Sequence, residues 1–292
     1  MATALPSPVS YHGPITNTDR WQNFAHRADD IFVCTPPKCG TTWTQAICAM
    51  LVFGKADHGQ QPGVVSPWLD AEFAPIEDNL AQLEAQQHRR YIKTHSPLDG
   101  IPYHADAHYL AVFRDPRDVY CSGINHRDNM TDAELANAAF PSGENQYQDW
   151  LYKVREPVTW DLQSLDSLTH FLKSYWDYRH LDNVHLFHYS DMKRDLKANI
   201  DRIAGLLGYD YSDAEIQSFA ESATFSSMKQ NAEQFAPNSG TGMWKQESHF
   251  FANGSNEQWR KVFSEADLDA FNNRLADLLP ADQADWILHG HG

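Results

Sequence analysis

Ile31-Phe32-Val33-Cys34-Thr35-Pro36-Pro37-Lys38-Cys39-Gly40-Thr41-Thr42-Trp43 is the stretch whose reading decides the fold. Asp30 to Thr35 reads as a short strand buried on both faces, because its interior is an unbroken apolar run closed by a proline pair. A tight turn with Lys38 and Gly40 follows. Thr41 to Phe53 then reads as a helix buried on most sides. Strand, turn and helix in that order aim the free N–H groups of the first helical turn, and the positive end of the helix dipole, at one point. Such a point attracts an anion. Gly40 lets the backbone approach it closely, Lys38 adds a charge, and Thr41 and Thr42 add hydroxyl donors. This is not a Walker A loop, GxxxxGK[ST], because the lysine precedes the glycine and the first glycine is missing. An ordinary strand-to-helix turn with a threonine cap is the plain alternative.

Working outward, Arg90 to Thr94, Tyr109 to Phe113 and Val184 to Tyr189 read as further short strands. Leu165 to Leu181 and Lys193 to Leu207 carry apolar residues at helical spacing, and the second run ends at Gly208, a plausible C′ residue. Short apolar strands separated by helices imply a parallel sheet covered on both faces. The expected fold is a single α/β domain over residues 1–292, a three-layer sandwich with a central parallel sheet and a P-loop-like turn. Ligands in such folds sit at the carboxyl ends of the strands.

The whole chain sets limits on partners. Its formal net charge is −16 on 292 residues, which argues against a polyanion such as nucleic acid and against anionic membranes. One small anion is still compatible, because a site depends on local groups. The longest apolar run, Ala46 to Phe53, is far shorter than the ~20 residues that span a bilayer. The segment Met1 to Trp21 has Pro6, Pro8 and Pro14 and no basic-then-apolar pattern, so no secretory signal is read. Cys34, Cys39, Cys48 and Cys121 form no CxxC pair, which points to a reduced, cytoplasmic setting. Two segments, 128–160 and 234–256, carry scattered Gly, Pro, Asn and aromatics and read as lids or substrate loops, or else as plain surface loops.

At Pro37-Lys38-Cys39-Gly40-Thr41-Thr42-Trp43 the chain resembles the PKSGTTW loop of sulfotransferases that use 3′-phosphoadenosine 5′-phosphosulfate (PAPS). In that family the loop holds the 5′-phosphosulfate of the donor. Tyr91-Ile-Lys-Thr-His-Ser-Pro-Leu98 resembles the KTHLP-type strand end that carries the family's base at the histidine, here His95. Arg114-Asp-Pro-Arg-Asp-Val-Tyr-Cys-Ser122 resembles the RDPRDVxxS element, whose first Arg and Ser hold the 3′-phosphate. His188-Tyr-Ser-Asp-Met192 resembles YEDM, with Tyr189 near the adenosine. Phe225-Ser-Ser-Met-Lys-Gln-Asn231 resembles the FxxMKxN segment beside the adenine. Bacterial glycolipid-type members share more still, in Ser66-Pro-Trp-Leu-Asp70, Gln86-Gln-His-Arg-Arg90 and Lys93-Thr-His-Ser-Pro-Leu-Asp-Gly100.

The resemblance implies transfer of a sulfuryl group from PAPS to a hydroxyl or amine of a small or lipid-like acceptor. By the same resemblance Lys38, Cys39, Gly40, Thr41, Thr42, Trp43, Arg114, Ser122, Tyr189, Phe225, Asn253 and Gly254 bind the donor. Trp43 stacks on the adenine in that reading, or else is plain core. His95, Lys38 and Lys93 carry the chemistry. A histidine with an ordinary pKa near ~6.5 suits the acceptor proton. Lys38 stabilises the bridging oxygen as its bond to sulfur breaks. Lys93 lies two residues before His95, so both face one side of a strand. The expected chemistry needs no metal. His104 and His108 have a metal-pair spacing without a third ligand nearby.

The chain departs from the family at its C-terminal RKGxxGxW loop. Phe251 to Trp259 aligns on Gly254 and Trp259, but Ala252 and Asn253 stand where Arg and Lys would contact the 3′-phosphate. Three readings stay open: weaker donor binding, compensation by another cation such as Arg260 or Lys261, or a different donor. A protein that keeps the fold and has lost the donor, acting as a binding protein, is the corresponding alternative function. A nucleotide-dependent kinase would need the full Walker A that is missing. Cys39 replaces the commoner Ser and removes a hydroxyl. Arg117 and Asp118 read as a solvated charge cluster. The family's KxxxTVxxxE dimer motif fits poorly at Arg260, Ser264, Glu265 and Asp269, so the oligomeric state is left open. Trp68, Phe73, Phe140, Tyr147, Trp150, Tyr152 and Trp160 either flank an apolar acceptor or belong to the core.

Overall fold

Four short strands carry the centre of the molecule: β1 (Ile31–Cys34), β2 (Tyr91–Thr94), β3 (His108–Phe113) and β4 (Val184–His188). The structure is a computed structural model and describes residues 8–161, 163–251 and 254–290. The strands run in the order β2-β1-β3-β4, every pair parallel. Cys34 stands level with Thr94 on one side and Ala111 on the other, so β1 and β2 finish together.

Alternate residues of each strand feed opposite cores. Phe32, Cys34, Ile92, Tyr109, Ala111 and Phe113 face one hydrophobic cluster with Phe171 and Leu172 of the helix Leu165–Trp176 and Phe271 of the helix Glu265–Leu278. Ile31, Val33, Tyr91, Leu110 and Val112 face the other, with Ile47 and Met50 of the helix Thr41–Phe53 and Ile200 and Ile203 of the helix Leu196–Leu206. This is the three-layer α/β arrangement expected from the continuous apolar runs.

The helix Thr41–Phe53 has the expected bounds. Two others differ. The run Leu165 to Leu181 leaves its helix at Trp176. Lys193 to Leu207 is two helices, Tyr189–Arg194 and Leu196–Leu206. Asp195 breaks it: its backbone turns out of the helix (φ −139°, ψ 80°), and its carboxylate accepts from Ala198 N–H to start the next one. Segment 128–160 holds two short helices, Ala133–Ala139, capped by Asp132, and Gln146–Tyr152. It is stitched to segment 234–256: Met130 bridges Trp244, Lys245 N–H donates to Asn129 O (2.8 Å), and Thr131 N–H donates to Met243 O (3.0 Å). Among the described residues, no helix is long and apolar enough to cross a membrane.

Candidate active site

The turn after β1 reverses through two left-handed residues, Lys38 (φ 69°) and Gly40 (φ 102°). Gly40 occupies the N-cap position of the helix Thr41–Phe53 and offers it no side-chain cap. A Cβ here would lie 3.2 Å from the Tyr189 ring, so the position needs glycine for both its φ and its packing. Cys39 N–H closes the turn on Pro36 O (3.3 Å). Thr35 and Thr41 hydroxyls meet at 2.5 Å and pin the turn across its neck. The first helical N–H groups therefore point outward from the carboxyl edge of the sheet.

Two cavities meet at this turn. One, of about 330 Å³, holds Gly40, Trp43, Arg114, Ser122, Tyr189 and Phe225, together with Gly254 and Lys193. The other, of about 390 Å³, holds Lys93, His95 and His126 among Trp68, Phe140 and Trp160. Lys38, Thr41, Thr42 and Phe250 line both and form the wall between them.

In the smaller cavity Arg114 is buried and braces the turn. Its Nη2 donates to Ser255 O (3.0 Å), its Nη1 reaches Lys38 O (3.4 Å), and its guanidinium lies over the Tyr189 ring at 4.5 Å. Its Nε is buried with no hydrogen-bond partner, an unmet donor that an anion would satisfy. Tyr189 meets Trp43 edge-on at 5.1 Å, and Trp43 Nε1 donates to Ala223 O (2.8 Å). Phe225 covers Gly254 so closely that a Cβ there would clash at 2.2 Å. Lys193 Nζ donates to Gly254 O at 2.6 Å. Partial burial and the nearby Arg114 lower the pKa of Lys193.

In the larger cavity His95 Nδ1 lies 2.6 Å from Thr35 O. A carbonyl only accepts, so Nδ1 carries the proton and the Nε2 lone pair is free. The His95 ring stands edge-on to Trp68 at 4.6 Å, and Lys93 Nζ lies 4.0 Å from the same indole. Burial, then Lys93, hold the His95 pKa well below its ordinary value. Burial likewise brings Lys93 down to about 8. Lys38 falls to about 7 through burial, Arg114 and Lys93. Three titratable groups in one cleft are thus moved from their ordinary values, as active sites arrange them.

Residues 28–280 match the family model of the sulfotransferase domain. The chain belongs to the sulfotransferase family. It is 34% identical over 311 residues to a glycolipid sulfotransferase of Mycobacterium bovis, covering 97% of this chain and 94% of that one. Sulfotransferase 1A1 of Rattus norvegicus is 27% identical over 270 residues, covering 87% and 86%. Among solved structures, mouse sulfotransferase SULT7A1 complexed with PAP superposes with a TM-score of 0.70 at 20% identity, over 92% of this chain and 91% of that one. Retinol dehydratase in complex with androsterone and the inactive cofactor PAP gives 0.69 at 22% identity, over 91% and 87%.

Several readings of this sulfotransferase's sequence need correction. The Cys39 side chain is fully buried in the core beneath the turn and lines neither cavity. Arg117 and Asp118 are not a solvated cluster, being 8% and 2% exposed. Asp118 accepts from Glu257 and Gln258 N–H (both 2.8 Å), and Arg117 packs 3.8 Å from the Trp259 ring. Together they fasten the 255–259 segment over Arg114. Arg260 pairs with exposed Glu257 at 2.7 Å, lies against Trp259 and is not among the residues lining the smaller cavity. Ala252 and Asn253 lie outside the described residues. The aromatic set divides: Trp68, Phe73, Phe140 and Trp160 line the larger cavity, Trp150 is core beside Phe271, Tyr147 packs partly buried on that core, and Tyr152 is exposed.

His104 stacks on His26 at 3.8 Å, while His108 faces His185. Among the described residues, no group of three or more metal-ligating side chains is close enough to hold an ion. Sequence reasoning missed Lys193 and His126. Lys193 follows the YEDM-like element directly, and His126 follows Ser122 by one helical turn. Neither residue's role has a sequence signal beyond that neighbourhood.

Proposed function

We propose that this sulfotransferase moves the sulfuryl group of PAPS to a hydroxyl or amine of a small or lipid-like acceptor, leaving PAP and a sulfated product. The observation that carries the reading is the shared wall at Lys38, Thr41 and Thr42, with Arg114 on one side and His95 on the other. A donor held in the smaller cavity presents its phosphosulfate to the helix N-terminus and Lys38, where backbone donors and a cation await negative charge.

The unmet Arg114 Nε and the Ser122 hydroxyl take the 3′-phosphate in this account. Lys193 joins them as the cation that compensates for the departure at residues 252–253, because it already enters the cavity beside Gly254. Trp43, Tyr189 and Phe225 enclose the adenosine. His95 takes the acceptor proton on Nε2 as a new S–O bond forms. The bond from sulfur to the phosphate oxygen breaks, and its electron pair stays on that oxygen, which Lys38 stabilises. Lys93 neutralises the sulfuryl oxygens in passage. The rest is positioning, as in phosphoryl transfer.

The lipid-like acceptor is supported by the named substrate class of the M. bovis relative and by the aromatic walls of the larger cavity. Segments 128–160 and 234–256, stitched together over that cavity, act as its cover. A single domain over 1–292 in a cytoplasmic setting completes the reading, consistent with four free, buried cysteines.

The test is transfer of label from sulfur-labelled PAPS to a panel of glycolipids, sterols and phenols. The account expects a labelled product and an equal quantity of PAP for at least one acceptor. Neither PAP binding nor transfer to any member, from folded protein, would favour the alternative that keeps the fold and has lost the donor.

A further inference from the structure

His126 lies in the helix Pro116–Asn129 and faces the turn from the acceptor side. Its Nδ1 is 2.8 Å from Lys38 Nζ. When charged, Lys38 has no lone pair, so in that state it donates and Nδ1 accepts, which places the ring proton on Nε2. Phe140, Trp244 and Phe250 hold the ring edge-on at 5.5, 4.8 and 5.7 Å, and Lys38 Nζ lies 5.0 Å from the Phe250 ring. The ionisable groups acting on Lys38 are Arg114, Lys93 and the Cys39 thiol. Burial first, then the titratable neighbours Lys38, Lys93 and His95, hold the His126 pKa well below its ordinary value.

We infer that His126 is a positioning residue for Lys38, holding the lysine ammonium on the acceptor side of the wall between the cavities until a donor's bridging oxygen draws it across. The inference takes its function for Lys38 from the reading above. Without His126 the lysine would face two other cations with no hydrogen-bond acceptor at this point, and deprotonation would become easier. With His126 as acceptor, more of Lys38 keeps its proton near pH 7, within reach of the bond that must break.

The test reads Lys38 in the ligand-free protein, so it does not depend on donor binding. Carbon-13 NMR of lysine Cε gives the Lys38 pKa in the native chain, in His126→Phe, which keeps an aromatic ring, and in His126→Asn, whose carbonyl replaces Nδ1 as acceptor. We expect the Phe variant to lower the Lys38 pKa by about one unit or more, the worth of a hydrogen bond to a charged group, and the Asn variant to restore it. An unchanged pKa in the Phe variant overturns the inference. Nitrogen-15 NMR of the native histidines gives a check that needs no variant: His126 is expected as the Nε2–H tautomer, and an Nδ1–H tautomer overturns the inference equally. Calorimetry with PAP on the native chain separately reports whether the donor reading stands.

Discussion

The Nδ1 of His95 and the carbonyl oxygen of Thr35 are 2.6 Å apart, which ties the end of β2 to the end of β1. One strand end carries His95, the base we propose, and the other opens the turn to the helix Thr41–Phe53. The contact fixes the ring tautomer. Removing the ring should therefore separate chemistry from donor binding. His95→Ala is expected to lose about 10²–10⁴ in kcat, the usual worth of a positioned base. Calorimetry should show PAP affinity within a few-fold of native. Native turnover in the variant would remove His95 from the mechanism.

Lys38 is a partly buried lysine whose pKa is brought down to about 7 by burial, Arg114 and Lys93. The unfolded chain therefore binds a proton more tightly than the folded chain. The charged lysine costs folding free energy fully below pH 7, and the cost shrinks as pH rises toward the ordinary lysine value near ~10.4. Lys38→Met should raise the melting temperature of the ligand-free protein, more at pH 6 than at pH 9. The same change should weaken PAP binding and cut kcat by about 10²–10³. Stability gained where function is lost is the pattern of a site held against its own folding preference.

Lys193 donates to Gly254 O at the rim of the donor cavity. If it replaces the missing family cations, its effect must depend on the 3′-phosphate. Lys193→Ala is expected to weaken PAP by about tenfold, in line with one charged hydrogen bond at a partly exposed site. AMP, which lacks that phosphate, should lose little. Equal losses for PAP and AMP would show that Lys193 only shapes the loop.

The pH dependence of PAP affinity should fall on the alkaline side. Lys38 and Lys93 stand at about 7 and about 8, and each must be protonated to attract the anion. Affinity is expected to be highest near pH 6 and to drop as pH passes through 7 and 8, by up to about tenfold per unit for each lysine that must regain its proton. An acidic limb near 6.5 is not expected from His95 or His126, since burial holds both well below that value. A flat profile from pH 6 to 9 would mean that neither lysine touches the donor.

Much of the sheet was legible because buried parallel strands are written as unbroken apolar runs, and Ile31–Cys34 and Tyr109–Phe113 are plain cases. The strand-turn-helix geometry at Lys38, Gly40, Thr41 and Thr42 was legible because these residues are local to one another in sequence. What the sequence hid is non-local. Nothing near Asp118 says that its carboxylate holds the backbone of Glu257 and Gln258, and a row of charges looks solvated until its partners are known. Met130 and Trp244 pair across more than a hundred residues, so two segments that look irregular separately are one structure. Asp195 sits inside a run with helical spacing, yet its short side chain competes for backbone N–H groups and caps the next helix instead.

The central claim is that the turn between β1 and the helix Thr41–Phe53, with Arg114 behind it, binds the adenine nucleotide of a sulfuryl donor. Isothermal calorimetry of the full chain with PAP at pH 7 tests it most directly. The account predicts one site per chain with micromolar or tighter affinity, weakened in Arg114→Ala and Lys38→Met. No heat of binding at millimolar PAP, from protein whose melting curve shows it folded, would contradict it.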